Sequence, residues 1–179
     1  MVYNNYIALL SLQKEFQLMT INLFGAWSNL NDDEQYQAGF SLTIYPLGNL
    51  NFYGTSTFLN HHEHGRNNFI FDQVVGFRIA SPLWAEIYGT FGPQNNYYEK
   101  NALIVYNIPD QINFKGGGRL MLTLARNWLL SLDYQYLEKE GKLLTYEQTI
   151  SENGLTLKPE YFQFKYHNHL ISAGVQWKF

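Results

Sequence analysis

Cysteine is absent from the 179 residues, which excludes disulfide scaffolds and thiolate metal sites. Charge is scarce, at 15% of residues against about 25% in an ordinary soluble domain. The net charge is only −3, so no electrostatic footprint points to nucleic acid. Long apolar runs are also missing: none approaches the ~20 residues of a membrane-spanning helix. The opening stretch MVYNNYIALLSLQKEF lacks the charged start, apolar middle and small-residue cleavage site of a secretory signal. Aromatic residues, by contrast, are plentiful, with 14 Tyr, 13 Phe and 4 Trp making 17% of the chain. That profile suits strands and interfaces better than solvated helices, and the length is one domain's worth of chain.

No segment keeps a helical period, whereas period-two alternation recurs throughout. Residues 36–45 place Tyr36, Ala38, Phe40, Leu42 and Ile44 on one face, with Gln37, Gly39, Ser41 and Thr43 on the other. Residues 128–137 set Trp128, Leu130, Leu132, Tyr134 and Tyr136 against Ser131, Asp133 and Gln135. Residues 112–125 set Ile112, Phe114, Leu120, Leu122 and Leu124 against Asn113, Lys115, Arg119 and Thr123. Similar strands fall near 4–13, 16–28, 50–59, 69–79, 83–92 and 162–179, which makes roughly nine in all.

The connections alternate short and long. Short ones fall at 13–16, 46–49, 80–83 and 125–127; long polar ones fall at 29–35, 60–68, 93–111 and 138–160. In an up-and-down sheet, alternate connections lie at opposite ends, so the tight turns share one end and the long loops share the other. Transmembrane barrels show that asymmetry, with short turns on one side and long loops on the other. A closed barrel also leaves no unpaired strand edge in lipid. The expected fold is therefore all-β: a transmembrane antiparallel up-and-down β-barrel of about 8–10 strands, or the C-terminal part of a larger one. An odd count of nine would set the two termini at opposite ends, so the expectation is that a signal and a first strand precede this stretch. The alternative is that residues 1–14 are a lead-in to eight strands. A soluble lipocalin-like barrel, with its apolar positions inside, is the competing architecture.

The final strand, HLISAGVQWKF, places Ile171, Ala173, Val175, Trp177 and Phe179 at every second position. It resembles the assembly signal of bacterial outer-membrane barrels, and the GVQWKF ending resembles outer-membrane proteins of Bacteroidota. The resemblance extends loosely through YPLGNLNFYG and NYYEKNALIVYN. It implies outer-membrane localisation, with long loops extracellular and short turns and C-terminus periplasmic. It also implies contact with outer-membrane lipid and with other envelope proteins, and recognition by the barrel-assembly machinery through residues 171–179. It implies no catalytic residue and no cofactor.

Four constellations invite chemistry. HHEH brings His61, His62, Glu63 and His64 together, and imidazole and carboxylate ligate zinc. Adjacent strand positions point to opposite faces, so only a loop could gather them; a solvated loop tip is the plainer reading. His167, His169 and Ser172 resemble the side chains of a barrel-wall lipid hydrolase. Strand parity sets both histidines on the face of Ile171 and the serine on the other. GGG at 116–118 lacks the lysine and hydroxyl of a phosphate loop and sits within a strand, where glycines mark a bulge or a close backbone approach. Last come the charged residues of the less apolar face: Arg78, Glu86, Lys115, Arg119 and Asp133. Hairpin folding pairs Arg119 with Asp133 and Arg78 with Glu86, because charges withdrawn from water need partners. The functional expectation is a non-catalytic barrel, serving either as a structural or accessory subunit of an envelope complex or as a narrow passive pore. A lipid-modifying enzyme is the alternative.

Overall fold

The computed structural model describes residues 5–30, 33–99, 104–106, 110–124, 127–151 and 154–177. Nine strands form one sheet in chain order: β1 (Tyr6–Glu15), β2 (Met19–Leu30), β3 (Asp33–Ile44), β4 (Phe52–Glu63), β5 (Arg66–Ala80), β6 (Leu83–Gln94), β9 (Gln111–Leu124), β10 (Trp128–Ser151) and β11 (Gly154–Trp177). Between β6 and β9 a small two-stranded sheet is inserted, β7 (Tyr97–Glu99) and β8 (Ile104–Tyr106). Every neighbouring pair is antiparallel. The order is an up-and-down sheet, and among the described residues β1 pairs only with β2 and β11 only with β10.

The sheet curls, because residues from every strand between β1 and β10 line one cavity. Its concave positions include Ser41, Thr57, Asp72, Tyr88, Arg119 and Asp133. The convex positions alternate with these and are mostly apolar, with Asn60, His62, His167 and His169 toward the hairpin end. Directly paired residues share a face, so the pairings of Leu12 with Leu23, Leu23 with Phe40, Phe40 with Phe58, Phe58 with Phe71, Phe71 with Phe91 and Phe91 with Phe114 form one row across seven strands. The rings of that row touch, at centroid distances of 5.2 Å for Phe40–Phe58, 4.9 Å for Phe58–Phe71 and 5.0 Å for Phe91–Phe114. Such aromatic contacts contribute about 0.5–1.5 kcal/mol each beyond the area they cover. At the tight-turn end Trp128 stacks on Trp177 at 5.8 Å.

Strand number and tight turns agree with the alternation, but the long connections do not. Residues 60–68 are a hairpin, not a loop: β4 runs to Glu63, which pairs with Arg66, and only His64 and Gly65 turn the chain. Both turn residues have positive φ, 50° and 72°, the type I′ geometry that matches strand twist and that glycine adopts freely. Residues 138–160 are likewise mostly strand, since β10 and β11 pair from Trp128–Trp177 to Ser151–Gly154. Polar residues imitate a loop in sequence, yet a strand whose two faces meet water has no reason to alternate. β9 pairs with β10 only as far as Gln111–Glu140, so beyond it β10 and β11 continue as a two-stranded arm. At about 3.3 Å per residue, the eleven positions from 141 to 151 reach roughly 35 Å.

A bulge corrects a further expectation. The β9–β10 register shifts between Glu138 and Lys139, leaving Asn113 as the extra residue. Ile112 therefore leaves the apolar convex face and becomes fully buried.

Candidate functional site

The concave face encloses a cavity of about 720 Å³. β7 and β8 form part of its lining through Tyr97, Tyr98, Glu99 and Ile104, so these two short strands of the 93–111 connection fold inward as a cap. The cap is tied down by side chains of the wall. Gln37 acts as a surrogate strand: its Nε2 donates to the Tyr98 carbonyl at 3.2 Å, and its Oε1 accepts from the Tyr98 amide at 3.2 Å. Lys115 of β9, only 3% exposed, is ion-paired to Glu99 of β7. Asn96 donates to Glu63 at the end of β4, and the Tyr97 ring packs edge-on against His61 at 6.4 Å. Tyr97 also joins Leu59, Ile70 and Phe24 in an apolar cluster.

Below the cap lies a charged network. Arg119 Nε donates to Asp133 Oδ2 at 2.8 Å, and Arg119 Nη1 lies 3.7 Å from Glu86 Oε2. Tyr53 donates its hydroxyl to Glu86, and Tyr88 donates to Asp133 Oδ1 at 3.0 Å. Gly117 makes the last contact sterically feasible, because a β-carbon there would lie 2.6 Å from the Tyr88 hydroxyl and 2.2 Å from the Tyr134 carbonyl. The GGG stretch is thus a close-approach site. Thr90 donates to Asp72 at 2.6 Å on the adjacent wall. In total four carboxylates (Asp72, Glu86, Glu99, Asp133) and two cations (Lys115, Arg119) line the cavity.

Of the five charged residues picked from the sequence, Glu86, Lys115, Arg119 and Asp133 converge on this cavity. Arg78 does not. Its guanidinium lies over the Trp84 ring at 5.6 Å and donates to Asn51 at 3.4 Å. The cause is register: Arg78 pairs with Trp84, Gly76 takes the place opposite Glu86, and a bulge follows at Arg78/Ala80. Glu86 is met instead from β9, by Arg119 directly across the strand pair. Ile171, Ala173, Val175 and Trp177, expected from the sequence to form an assembly signal, lie on β11, while Phe179 is outside the described residues.

The histidines separate as parity requires. His61 is concave and fully buried, with Nε2 3.7 Å from Glu63 Oε2. His62 is bonded to Asn67 at 3.0 Å, and His64 at the turn lies 3.0 Å from Asp33. No group of three or more His, Asp or Glu gathers to hold a metal among the described residues. Burial pushes the Glu63 carboxyl up, but hydrogen bonding from His61 and Asn96 and the electrostatic effect of His61 and His64 outweigh it and hold it below the usual value. His167 and His169 are bonded to the Tyr136 and Tyr134 hydroxyls at 2.7 and 2.9 Å, while Ser172 pairs across the strands with Asp133.

The sequence reading missed the cap residues Gln37, Tyr97, Tyr98 and Glu99. Adjacent tyrosines within a polar connection were the available signal, since aromatic side chains there gain by burial. No family model, curated protein or solved structure matches the chain.

Proposed function

We propose that the chain is a non-catalytic outer-membrane β-barrel protein whose interior is a narrow, stoppered passive pore. The observation that carries this reading is the inversion of the two faces. The convex face is apolar and bare, with Leu10 70% exposed and Ile171 76%, while the concave face holds the ion pairs. Exposed apolar surface on this scale is not sustained by a soluble monomer. A lipid-facing band between aromatic girdles accounts for it, with Trp128 and Trp177 at one end and Tyr134, Tyr136 and Tyr36 at the other. A lipocalin-like barrel would turn its apolar positions inward, and a hydrolase would need a histidine beside Ser172, whereas His167 and His169 lie on the other face of β11.

Barrels of eight to ten strands enclose only enough space for side chains or one small solute. The cap occupies part of that space, so the resting state conducts little. A second reading, an accessory subunit of an envelope complex, is favoured by the arm. There Leu143, Leu144, Tyr161 and Phe162 are exposed on both faces of an unsupported ribbon. Planar-bilayer recording distinguishes the two. The intact chain is expected to give no large steady current, and a variant with residues 95–110 replaced by a short Gly-Ser linker is expected to give a small steady one. A large steady current from the intact chain would contradict the stopper. A silent linker variant that still forms the sheet would favour the accessory role.

A further inference from the structure

We propose that the free edges of β1 and β11 accept between them one further strand, donated by a partner segment outside these residues and running antiparallel to both. This rests on the membrane reading above. An unpaired edge in lipid leaves backbone groups that no water can satisfy, at several kcal/mol each. Among the described residues, neither β1 nor β11 has a second strand neighbour. β1 exposes Leu10 and Leu12, and β11 exposes neighbours on opposite faces, Leu170 and Ile171.

Direction identifies the occupant. Tyr6 pairs with Asn29 and Glu15 with Thr20, so β1 runs from the hairpin end of the sheet toward the tight-turn end. β11 begins at Gly154, opposite Ser151, and ends at Trp177, opposite Trp128, which is the same direction. Direct closure would therefore create one parallel pair in an otherwise antiparallel sheet. A second copy of the chain offers no remedy. Inserted with the same orientation it presents the same parallel junction, and an antiparallel junction requires it to be inverted across the membrane. Only a separate strand rising from the tight-turn end makes both new pairs antiparallel. One strand is the fewest that makes both new pairs antiparallel, and it would bring the sheet to ten strands, a size whose interior side chains can fill.

The edges also dictate its chemistry. Convex positions of the donor would lie between Leu10 or Leu12 and Ile171, Ala173 or Val175, and need aliphatic side chains. On the concave face β1 offers Ser11 and β11 offers Ser172, so concave positions of the donor need small polar side chains. The fit is a segment of about ten residues, apolar at every second position, as a strand crossing the bilayer requires.

The absence of cysteine makes the test clean. Four variants of the full chain would be folded into lipid vesicles: Ser11→Cys, Ser172→Cys, the two combined, and Thr43→Cys/Thr55→Cys. The last reports that the sheet has formed, since those hydroxyls lie 2.9 Å apart on paired strands. The probe is a synthetic ten-residue peptide alternating Leu and Ser with one central Cys, compared with a scrambled peptide of the same composition. With the control bridge formed, the alternating peptide is expected to form a disulfide with each single edge variant, and scrambling is expected to abolish it. Disulfides require β-carbons within about 4.5 Å, so only neighbouring strands report. A Ser11–Ser172 bridge within one chain would overturn the proposal in favour of direct closure. A bridge between two chains would overturn it in favour of a second copy, and equal labelling by both peptides would overturn strand insertion. The membrane reading fails separately, if the chain stays soluble without vesicles or detergent.

Discussion

Arg119 sits between two carboxylates with more than a third of its side chain exposed, so water screens part of its charge. Changing Asp133 to Ala removes its 2.8 Å partner and the acceptor of Tyr88, but leaves Glu86. The expected loss is about 1–2 kcal/mol in chemical unfolding from micelles, below the value for a fully buried pair. Lys115 is the opposite case. It is almost completely buried against Glu99, so Glu99→Ala is expected to cost about 3 kcal/mol, and adding Lys115→Met should recover most of that. If Lys115→Met gives no recovery, the ammonium is not desolvated. Glu63 adds a pH dependence. Its folded-state value is depressed, so its contribution is fully present above about pH 4.5 and is lost as pH falls through the lower folded value. Because Asn96 is bonded to Glu63, acid should loosen the cap. Protection of cap amides from hydrogen exchange should fall below pH 4.5 in the native chain but stay level in Glu63→Gln.

At the scale of elements, β10 and β11 each have 24 residues, more than twice what crosses a bilayer. Their inner part is backed by β9 and their outer part is not. An isolated two-stranded ribbon is marginal in water, so the amides of 142–146 are expected to exchange far faster than those of 130–136. Equal protection would show that the arm is held by something the ribbon itself does not supply. Here lies the limit of sequence reading. Phe40, Phe58 and Phe91 announce their strands because one face must be apolar, and all nine sheet strands are legible that way. His61–Glu63 and Lys139–Tyr146 do not, because strands beyond the apolar band carry polar residues on both faces and read as loops. Arg78 was misplaced for a different reason: the register set beside a bulge puts it opposite Trp84, two positions from Glu86 on the same face, and alternation alone does not fix which same-face residues pair. Gly65, following a histidine able to take positive φ, was the one local signal for the hairpin turn.

At the scale of the whole molecule, the proposed membrane role requires the convex face to meet lipid and the concave face to be shielded from it. β10 provides the test, since Leu130, Leu132 and Tyr134 lie on the convex side and Ser131, Asp133 and Gln135 on the concave side, each paired with β9. The final strand gives a supporting prediction. Trp177→Asp should impair insertion more than the modest cost of a charge near the interface, because Trp177 stacks on Trp128. The most direct measurement places a nitroxide, through single introduced cysteines, at each position from 130 to 135 in lipid vesicles and compares collisions with oxygen and with a water-soluble nickel chelate. Period-two accessibility is predicted, with oxygen reaching 130, 132 and 134 and the chelate excluded from them. Chelate access at Leu132 equal to that of an exposed turn residue such as Leu47 would contradict the lipid-facing assignment.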